Sequence, residues 1–169
     1  MYLRRLCDEG LLRRVARGLY ALAEAEPGSG RMLAEAAKRV PGGVVCLLSA
    51  LEFHGLTTQA PFQVWIAIDT KAWKPRASGL PLRVTRFSGR AFTEGAEMHE
   101  IERVPVKVYS PAKTVADCFK YRNKIGLDVA IESLRDGLSR GACSVDDLWR
   151  FARICRVANV MRPYLEALA

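Results

Sequence analysis

The sequence contains no apolar run of the roughly 20 residues that a transmembrane helix needs. It also shows no N-terminal leader in which a charged segment precedes an apolar one. Its five cysteines are single and widely spaced, so the close pairs typical of zinc sites are absent. We therefore expect a cytoplasmic protein that has no membrane partner, no disulfide framework, no metal and no cofactor.

Signatures of catalysis are also scarce. The phosphate-binding glycine loop and the G-x-S-x-G and H-E-x-x-H motifs are missing. Of the two histidines, His54 follows an apolar segment and precedes Gly55, as structural histidines near a helix end do. His99 lies among glutamates, in a pattern more typical of a charged loop than of a metal site. These weak candidates favour a binding protein over an enzyme.

Positive charge is in excess. The chain has 26 Lys and Arg against 18 Asp and Glu, a net charge of +8 and a pI near 9.5. Half of the residues are hydrophobic, which is enough apolar material for a folded core. The charge favours a polyanionic partner such as nucleic acid, although a solvated basic surface has the same composition.

The N-terminal residues predict a helix followed by a β-hairpin. Apolar residues at helical spacing from Tyr2 to Glu9 precede Gly10, and two short strand-like runs then flank a turn that contains Gly18. This order is that of the reading helix and wing of a partial winged helix-turn-helix, which we assign to residues 1–25. A solvated basic face is the alternative for its arginines. The candidate DNA-binding residues are Arg4, Arg5, Arg13, Arg14 and Arg17.

The rest of the chain predicts a second unit. The segment from Glu24 to Gly30 has the composition of a linker. Residues 31–169 then predict an α+β domain, in which two helices up to His54 precede a mostly antiparallel sheet that starts near Phe62. Ser110 and Pro111 are typical of a helix start, so we expect residues 111–169 to form a C-terminal helical segment.

A second group of basic residues follows the predicted sheet. It either extends a nucleic-acid surface, meets an acidic partner or forms a solvated helix face. The residues of this possible second basic surface are Lys113, Lys120, Arg122 and Lys124.

Two other functions stay open from the residues alone. Asp69 and Lys71 form the acid-x-Lys pattern of a metal-dependent nuclease of restriction-endonuclease type, which also needs a partner acid from a neighbouring strand. Alternatively, the basic C-terminal helices make the chain a non-catalytic protein-interaction module.

Two long segments carry a resemblance to a known family. LSALEFHGLTTQAPFQVWIAI and SPAKTVADCFKYRNKIGLDVAIE, together with GLLRRVARGLYAL and VMRPYLEAL, resemble the antitoxin (AbiEi) of the abortive-infection E systems, which are type IV toxin-antitoxin systems of phage defence. The resemblance extends over nearly the whole chain.

The resemblance implies a transcriptional autorepressor that binds operator DNA through a winged helix and counteracts a nucleotidyltransferase-like toxin, without a stable complex between the two. It places DNA contacts on the five arginines of residues 1–25 and the antitoxin role on the region from Val44 onward. Helices that precede the reading helix in the family have no counterpart here, so we expect operator binding to need upstream helices.

Overall fold

The computed structural model describes residues 2–22, 29–76 and 78–169. At five positions it describes the backbone alone, namely Arg13, Val15, Ala16, Ala21 and Leu22. The described chain has α+β architecture with a separate two-stranded and a five-stranded sheet, which confirms the predicted fold class.

The N-terminal elements are those predicted from the sequence. Helix α1 (Tyr2–Asp8) precedes strands β1 (Leu12–Ala16) and β2 (Leu19–Leu22), which pair antiparallel as a hairpin. Most of the predicted linker lies outside the described residues, and its last two residues, Ser29 and Gly30, already belong to helix α2 (Ser29–Arg39). The division into units of residues 1–25 and 31–169 stays a prediction.

Five strands and seven further helices follow α2 in the described chain. They are β3 (Val44–Val45), α3 (Leu47–His54), β4 (Val64–Asp69), β5 (Leu82–Phe87), α4 (Arg90–Thr93), β6 (Ala96–Ile101), β7 (Val104–Tyr109), α5 (Pro111–Lys120), α6 (Arg122–Ile125), α7 (Leu127–Ser139), α8 (Val145–Ile154) and α9 (Ala158–Leu168).

The larger sheet is mixed, with strand order β5-β4-β3-β7-β6. β3 with β4 and β6 with β7 are antiparallel, whereas β3 with β7 and β4 with β5 are parallel. Short strands in succession favour antiparallel pairing, but residues 70–81 connect β4 to β5 and are long enough for a crossover back to the same end of the sheet. The alternation of side chains along a strand does not indicate whether its neighbour runs parallel or antiparallel to it.

Helices cover both faces of the sheet. In β4, Val64 and Ile66 belong to the core cluster beside α2, whereas Trp65 and Ala67 belong to the cluster that contains α3 and the C-terminal helices. Both clusters are buried. β4 is therefore a central strand, and its continuous apolar run reflects burial on two sides.

The structure corrects three local expectations. The apolar run from Val44 predicts a helix, but Val44–Val45 is a central strand and α3 starts at Leu47, since a short apolar run suits either element. The alternation along VPVKVY predicts that Lys107 and Tyr109 share a more solvated face, but Tyr109 is fully buried, because α3 and α5 pack against that end of β7. Proline is common in the first turn of a helix, so Pro163 predicts the start of a last helix, but it lies inside α9.

Helix α5 begins as the sequence predicts. The Ser110 side chain accepts a hydrogen bond from the backbone N–H of Lys113 at 3.3 Å, and Pro111 occupies the first turn. This cap satisfies one of the free N–H groups at the helix start. All residues from Ala112 to Phe119 are buried, so α5 lies in the centre of the larger core.

A buried ion pair lies on the inner side of α5. The Lys113 ammonium is 2.5 Å from a carboxylate oxygen of Asp117, and both side chains are almost completely shielded from solvent. The ammonium also lies 3.9 Å from the ring centre of Tyr109 and 4.7 Å from that of Phe87. The Cys155 thiol donates to the other Asp117 oxygen at 3.4 Å.

This arrangement overturns the prediction that Lys113 belongs to an exposed basic surface. Lys113 points inward because Asp117 follows one helical turn later on the same face. Its pair is nonetheless costly to bury, since desolvation raises the pKa of Asp117 even though the Lys113 charge lowers it. The close packing extends to Gly95, where a Cβ atom would lie 2.8 Å from the Cβ of Lys113.

We predict that Lys113→Met lowers the free energy of unfolding by roughly 3–5 kcal/mol, because it leaves the Asp117 carboxyl buried without its cation. The double variant Lys113→Met/Asp117→Leu should be more stable than Lys113→Met alone. Urea unfolding followed by circular dichroism measures both.

Lys120→Met is the matched control, since Lys120 is exposed on the same helix and its loss should change stability by about 0.5 kcal/mol at most. An equal cost for Lys113→Met and Lys120→Met would show that the buried pair is not a major determinant of stability.

Candidate nucleic-acid interface

Helix α1 presents arginines to solvent. Arg4 and Arg5 are exposed, and the Arg5 Nε donates to Glu9 at 2.8 Å across one helical turn. The Arg5 side chain keeps 77% of its surface accessible in this contact, so the pair contributes little to stability. A competing phosphate can therefore reach both guanidinium groups.

A glycine-based cap turns the chain from α1 into the hairpin. The Leu11 N–H donates to the Leu6 carbonyl at 2.9 Å, and the Gly10 N–H donates to the Cys7 carbonyl at 3.0 Å. These two bonds form a Schellman motif, which needs the left-handed conformation that Gly10 adopts at φ 74°. The cap ends α1 directly beside β1, so helix and hairpin are neighbours on one surface.

The hairpin carries the other predicted arginines. Arg14 and Arg17 are exposed, and Arg17 lies in the two-residue loop with Gly18, which has a φ of 75°. Arg13 pairs with Ala21 through the backbone, and its side chain lies outside the described part. The structure thus brings four of the five predicted arginine side chains onto one helix and one hairpin as accessible cations.

Apolar side chains are exposed beside these arginines. Tyr2 and Leu11 keep 74% and 57% of their surface accessible, and within residues 2–22 no described side chain is buried. The helix and hairpin therefore offer both charge and apolar area for contact with a partner.

Of the predicted second basic group, three members are accessible and one is not. Lys120 and Lys124 are exposed, and Arg122 is partly exposed while donating to the Phe119 carbonyl at 2.9 Å. Lys113 is buried in its ion pair, as described above. The four residues therefore do not form one surface.

A basic groove lies along the outer strand β5. It encloses about 640 Å³ and includes Lys74, Arg83, Arg86, Tyr121 and Lys124 in its lining. Its cations come from the β4–β5 loop, from β5 and from α6, so no single cluster in the sequence predicts the groove. The interleaving of Trp73 with basic residues in KAWKPR marks one of these three segments, the one that contributes Lys74. We call this feature the β5 groove.

Asp69 has a structural role in its turn. Its carboxylate accepts the Lys71 backbone N–H at 2.8 Å, which closes an Asx turn at the end of β4. In residues 2–22, 29–76 and 78–169 there is no group of three histidine, cysteine or acidic residues that could hold a metal ion. The alternative of a metal-dependent nuclease centred on Asp69 and Lys71 stays a prediction.

The two histidines belong to an aromatic cluster. The His54 Nε2 lies 2.7 Å from the Tyr109 carbonyl oxygen, and its ring contacts Phe53 at a centroid distance of 5.1 Å. His99 contacts the same Phe53 ring at 4.8 Å and lies 3.7 Å from Glu97. His54 therefore ties the end of α3 to the end of β7, as expected of a structural histidine.

The match found with a known protein family lies in the N-terminal elements. Residues 1–23 match the family model described as a transcriptional regulator, AbiEi antitoxin. The matched segment includes α1, β1 and β2 and stops before the larger sheet. No curated protein matches the chain. The match supports a role as a regulator or antitoxin for the helix and hairpin.

Among the helices that the structure describes, none combines the length and apolar character of a transmembrane segment.

We predict that His54 makes the fold less stable as the pH falls through 6.5. Burial lowers the pKa of His54 below its ordinary value of 6.5, with the Tyr109 carbonyl partly opposing the shift. The unfolded chain then binds more protons than the folded one, so the free energy of unfolding decreases. Urea unfolding at pH 7.5 and 5.5 should show a smaller decrease for His54→Gln than for the natural chain.

His99→Gln is the control, because it removes the imidazole that neighbours His54 and leaves His54 in place. An equal decrease in the natural chain and in His54→Gln would contradict this assignment.

Proposed function

We propose that the chain is a DNA-binding transcriptional regulator and antitoxin of a toxin-antitoxin operon. The observation that carries this proposal is the match of residues 1–23 to AbiEi antitoxin regulators, on a helix and hairpin whose described arginines are exposed. In this proposal α1 enters the major groove and the hairpin acts as the wing on the adjacent backbone.

The chemistry of the exposed arginines supports this assignment. A guanidinium group offers a planar set of donors that bridges two phosphate oxygens or reads the edge of guanine. Arg4 lies on the helix and Arg17 at the tip of the hairpin, so the two can contact different parts of the same duplex. The positive net charge of +8 adds long-range attraction to DNA.

The antitoxin part of the proposal concerns residues from Val44 onward. We propose that this region counteracts a nucleotidyltransferase-like toxin encoded beside it, and that it represses the shared operon through the N-terminal unit. The resemblance of its long segments to AbiE antitoxins supports this part, and the proposal does not depend on a stable complex with the toxin.

We predict that the chain, together with any residues encoded upstream in its reading frame, binds duplex DNA from its own promoter. The affinity should fall steeply as the salt concentration rises. Arg4→Ala and Arg17→Ala should each weaken binding, and each loss of a phosphate contact should reduce the salt slope by about one unit. Fluorescence anisotropy with a labelled promoter duplex and a scrambled duplex measures this.

Arg153→Ala is the matched control, because Arg153 is an exposed arginine on α8, far along the chain from the predicted interface. Unchanged binding in the Arg4→Ala/Arg17→Ala double variant would show that the helix and hairpin do not contact DNA.

We predict separately that co-expression of the chain restores growth to cells that express the adjacent nucleotidyltransferase-like gene. Colony counts with and without the chain measure the rescue, and a vector without the chain is the control. Absence of rescue, with both proteins detected in the cells, would contradict the antitoxin role and leave the DNA-binding result unaffected.

A further inference from the structure

The loop between β4 and β5 holds an unusually exposed tryptophan. Trp73 keeps 96% of its surface accessible, whereas Trp65, eight positions earlier, keeps 9%. Single exposed apolar side chains are common, but an exposed indole is the side chain best suited to bind the face of another ring. Trp73 therefore provides a free aromatic surface.

Cations surround this tryptophan in the sequence and are exposed with it. Lys71, Lys74 and Arg76 are accessible, and none of the three forms an ion pair with an acidic residue in the part of the chain that the structure describes. Their charges are therefore available to an anionic ligand. Interleaved aromatic and basic side chains are typical of surfaces that bind single-stranded nucleic acid.

The loop is held to the sheet. The Arg86 guanidinium donates to three loop carbonyls, those of Asp69 at 3.3 Å, Thr70 at 3.0 Å and Ala72 at 2.7 Å. The Asp69 carboxylate fixes the Lys71 N–H from the other side. Ala72, the residue before Trp73, is thus held by the Arg86 side chain of β5, and the start of the loop is held at the end of β4. This anchoring limits the conformational entropy that the loop loses when a ligand binds.

Lys74 connects this loop to the β5 groove. The groove includes Lys74, Arg83 and Lys124, and none of the described residues that line it is acidic. The Arg83 guanidinium lies 5.3 Å from the Trp65 ring centre, and the Lys124 ammonium lies 5.8 Å from that of Tyr121. Neither contact neutralises the cation. A strand of phosphates along β5 would therefore meet positive charge from three segments.

The free indole decides which polyanion fits best. Bases in a duplex are stacked on each other, so a protein ring reaches their faces only at the cost of unstacking. A single strand presents base faces to an exposed ring and phosphates to the neighbouring cations at the same time. An acidic peptide would use the cations alone and has no comparable use for Trp73.

We propose that residues 71–76 and the β5 groove form a binding site for single-stranded nucleic acid, in which Trp73 stacks on a base and Lys74, Arg83 and Lys124 bind phosphates. This site is separate from the proposed operator interface on α1 and the hairpin, and it does not depend on that interface.

The test measures binding of fluorescein-labelled twelve-residue oligo(dT) and oligo(U) to the full chain carrying Arg4→Ala and Arg17→Ala, so that the N-terminal arginines do not contribute. In this background Trp73→Ala should weaken binding roughly tenfold, as loss of one base stack does, and Trp73→Phe should restore most of it. Arg83→Glu and Lys124→Glu should each weaken binding and reduce its salt dependence.

The controls change residues that do not line the β5 groove. Met98→Ala removes an exposed apolar side chain from β6, the other edge strand, and Arg153→Glu makes the same charge change on α8. Both should bind oligonucleotide like the background chain, and circular dichroism should show that all variants are folded.

A second readout follows the indole itself. Oligo(dT) should quench the tryptophan fluorescence of the background chain, and Trp73→Phe should abolish this quenching while Trp65 and Trp149 remain. Equal oligonucleotide affinity of Trp73→Ala and the background chain would overturn the proposal. So would poly-glutamate binding as tightly as the oligonucleotides, which would assign the surface to an acidic protein partner.

Discussion

The contact between Lys113 and Asp117 joins three parts of the larger core. The ammonium lies against the rings of Phe87 on β5 and Tyr109 on β7, and the carboxylate accepts from Cys155 just after α8. Buried ions tolerate few alternative arrangements, because each must keep its partner and its hydrogen bonds. The pair therefore constrains how α5 sits between the sheet and the C-terminal helices.

The position of α5 in turn determines where the β5 groove lies. Tyr121 directly follows α5 and stacks on Phe87 at a centroid distance of 5.5 Å, and Lys124 extends from α6 in the next turn. On the other side of the groove, Arg86 holds the loop that carries Trp73. The accessible β5 groove thus rests on side chains that the core holds in place. Ligand sites with a defined geometry need such support.

Local signals in the sequence predict much of this structure. Gly10 and Gly18 mark the helix end and the hairpin turn, and Ser110 with Pro111 marks the start of α5, because each residue type suits one backbone conformation. The five N-terminal arginines are also evident, since they are close in sequence.

What the sequence does not predict depends on contacts between distant residues. Val44–Val45 is a strand because β4 and β7 lie on either side of it, and nothing in the two residues themselves distinguishes this from a helix. From the sequence alone Lys113 resembles a surface cation. Only the fold shows that Asp117, Tyr109 and Phe87 surround it. The β5 groove combines cations from the β4–β5 loop, β5 and α6, and only the fold brings these three segments together.

The sheet order also has a consequence for synthesis on the ribosome. Val45 pairs with Val108, so more than a third of the chain separates the two neighbours at the centre of the sheet. Contacts between partners so far apart form slowly and require both to have left the exit tunnel. The contacts of α1 with the hairpin are local and need only residues that are close in the sequence. A nascent chain therefore carries its N-terminal arginines into solution well before its sheet is complete.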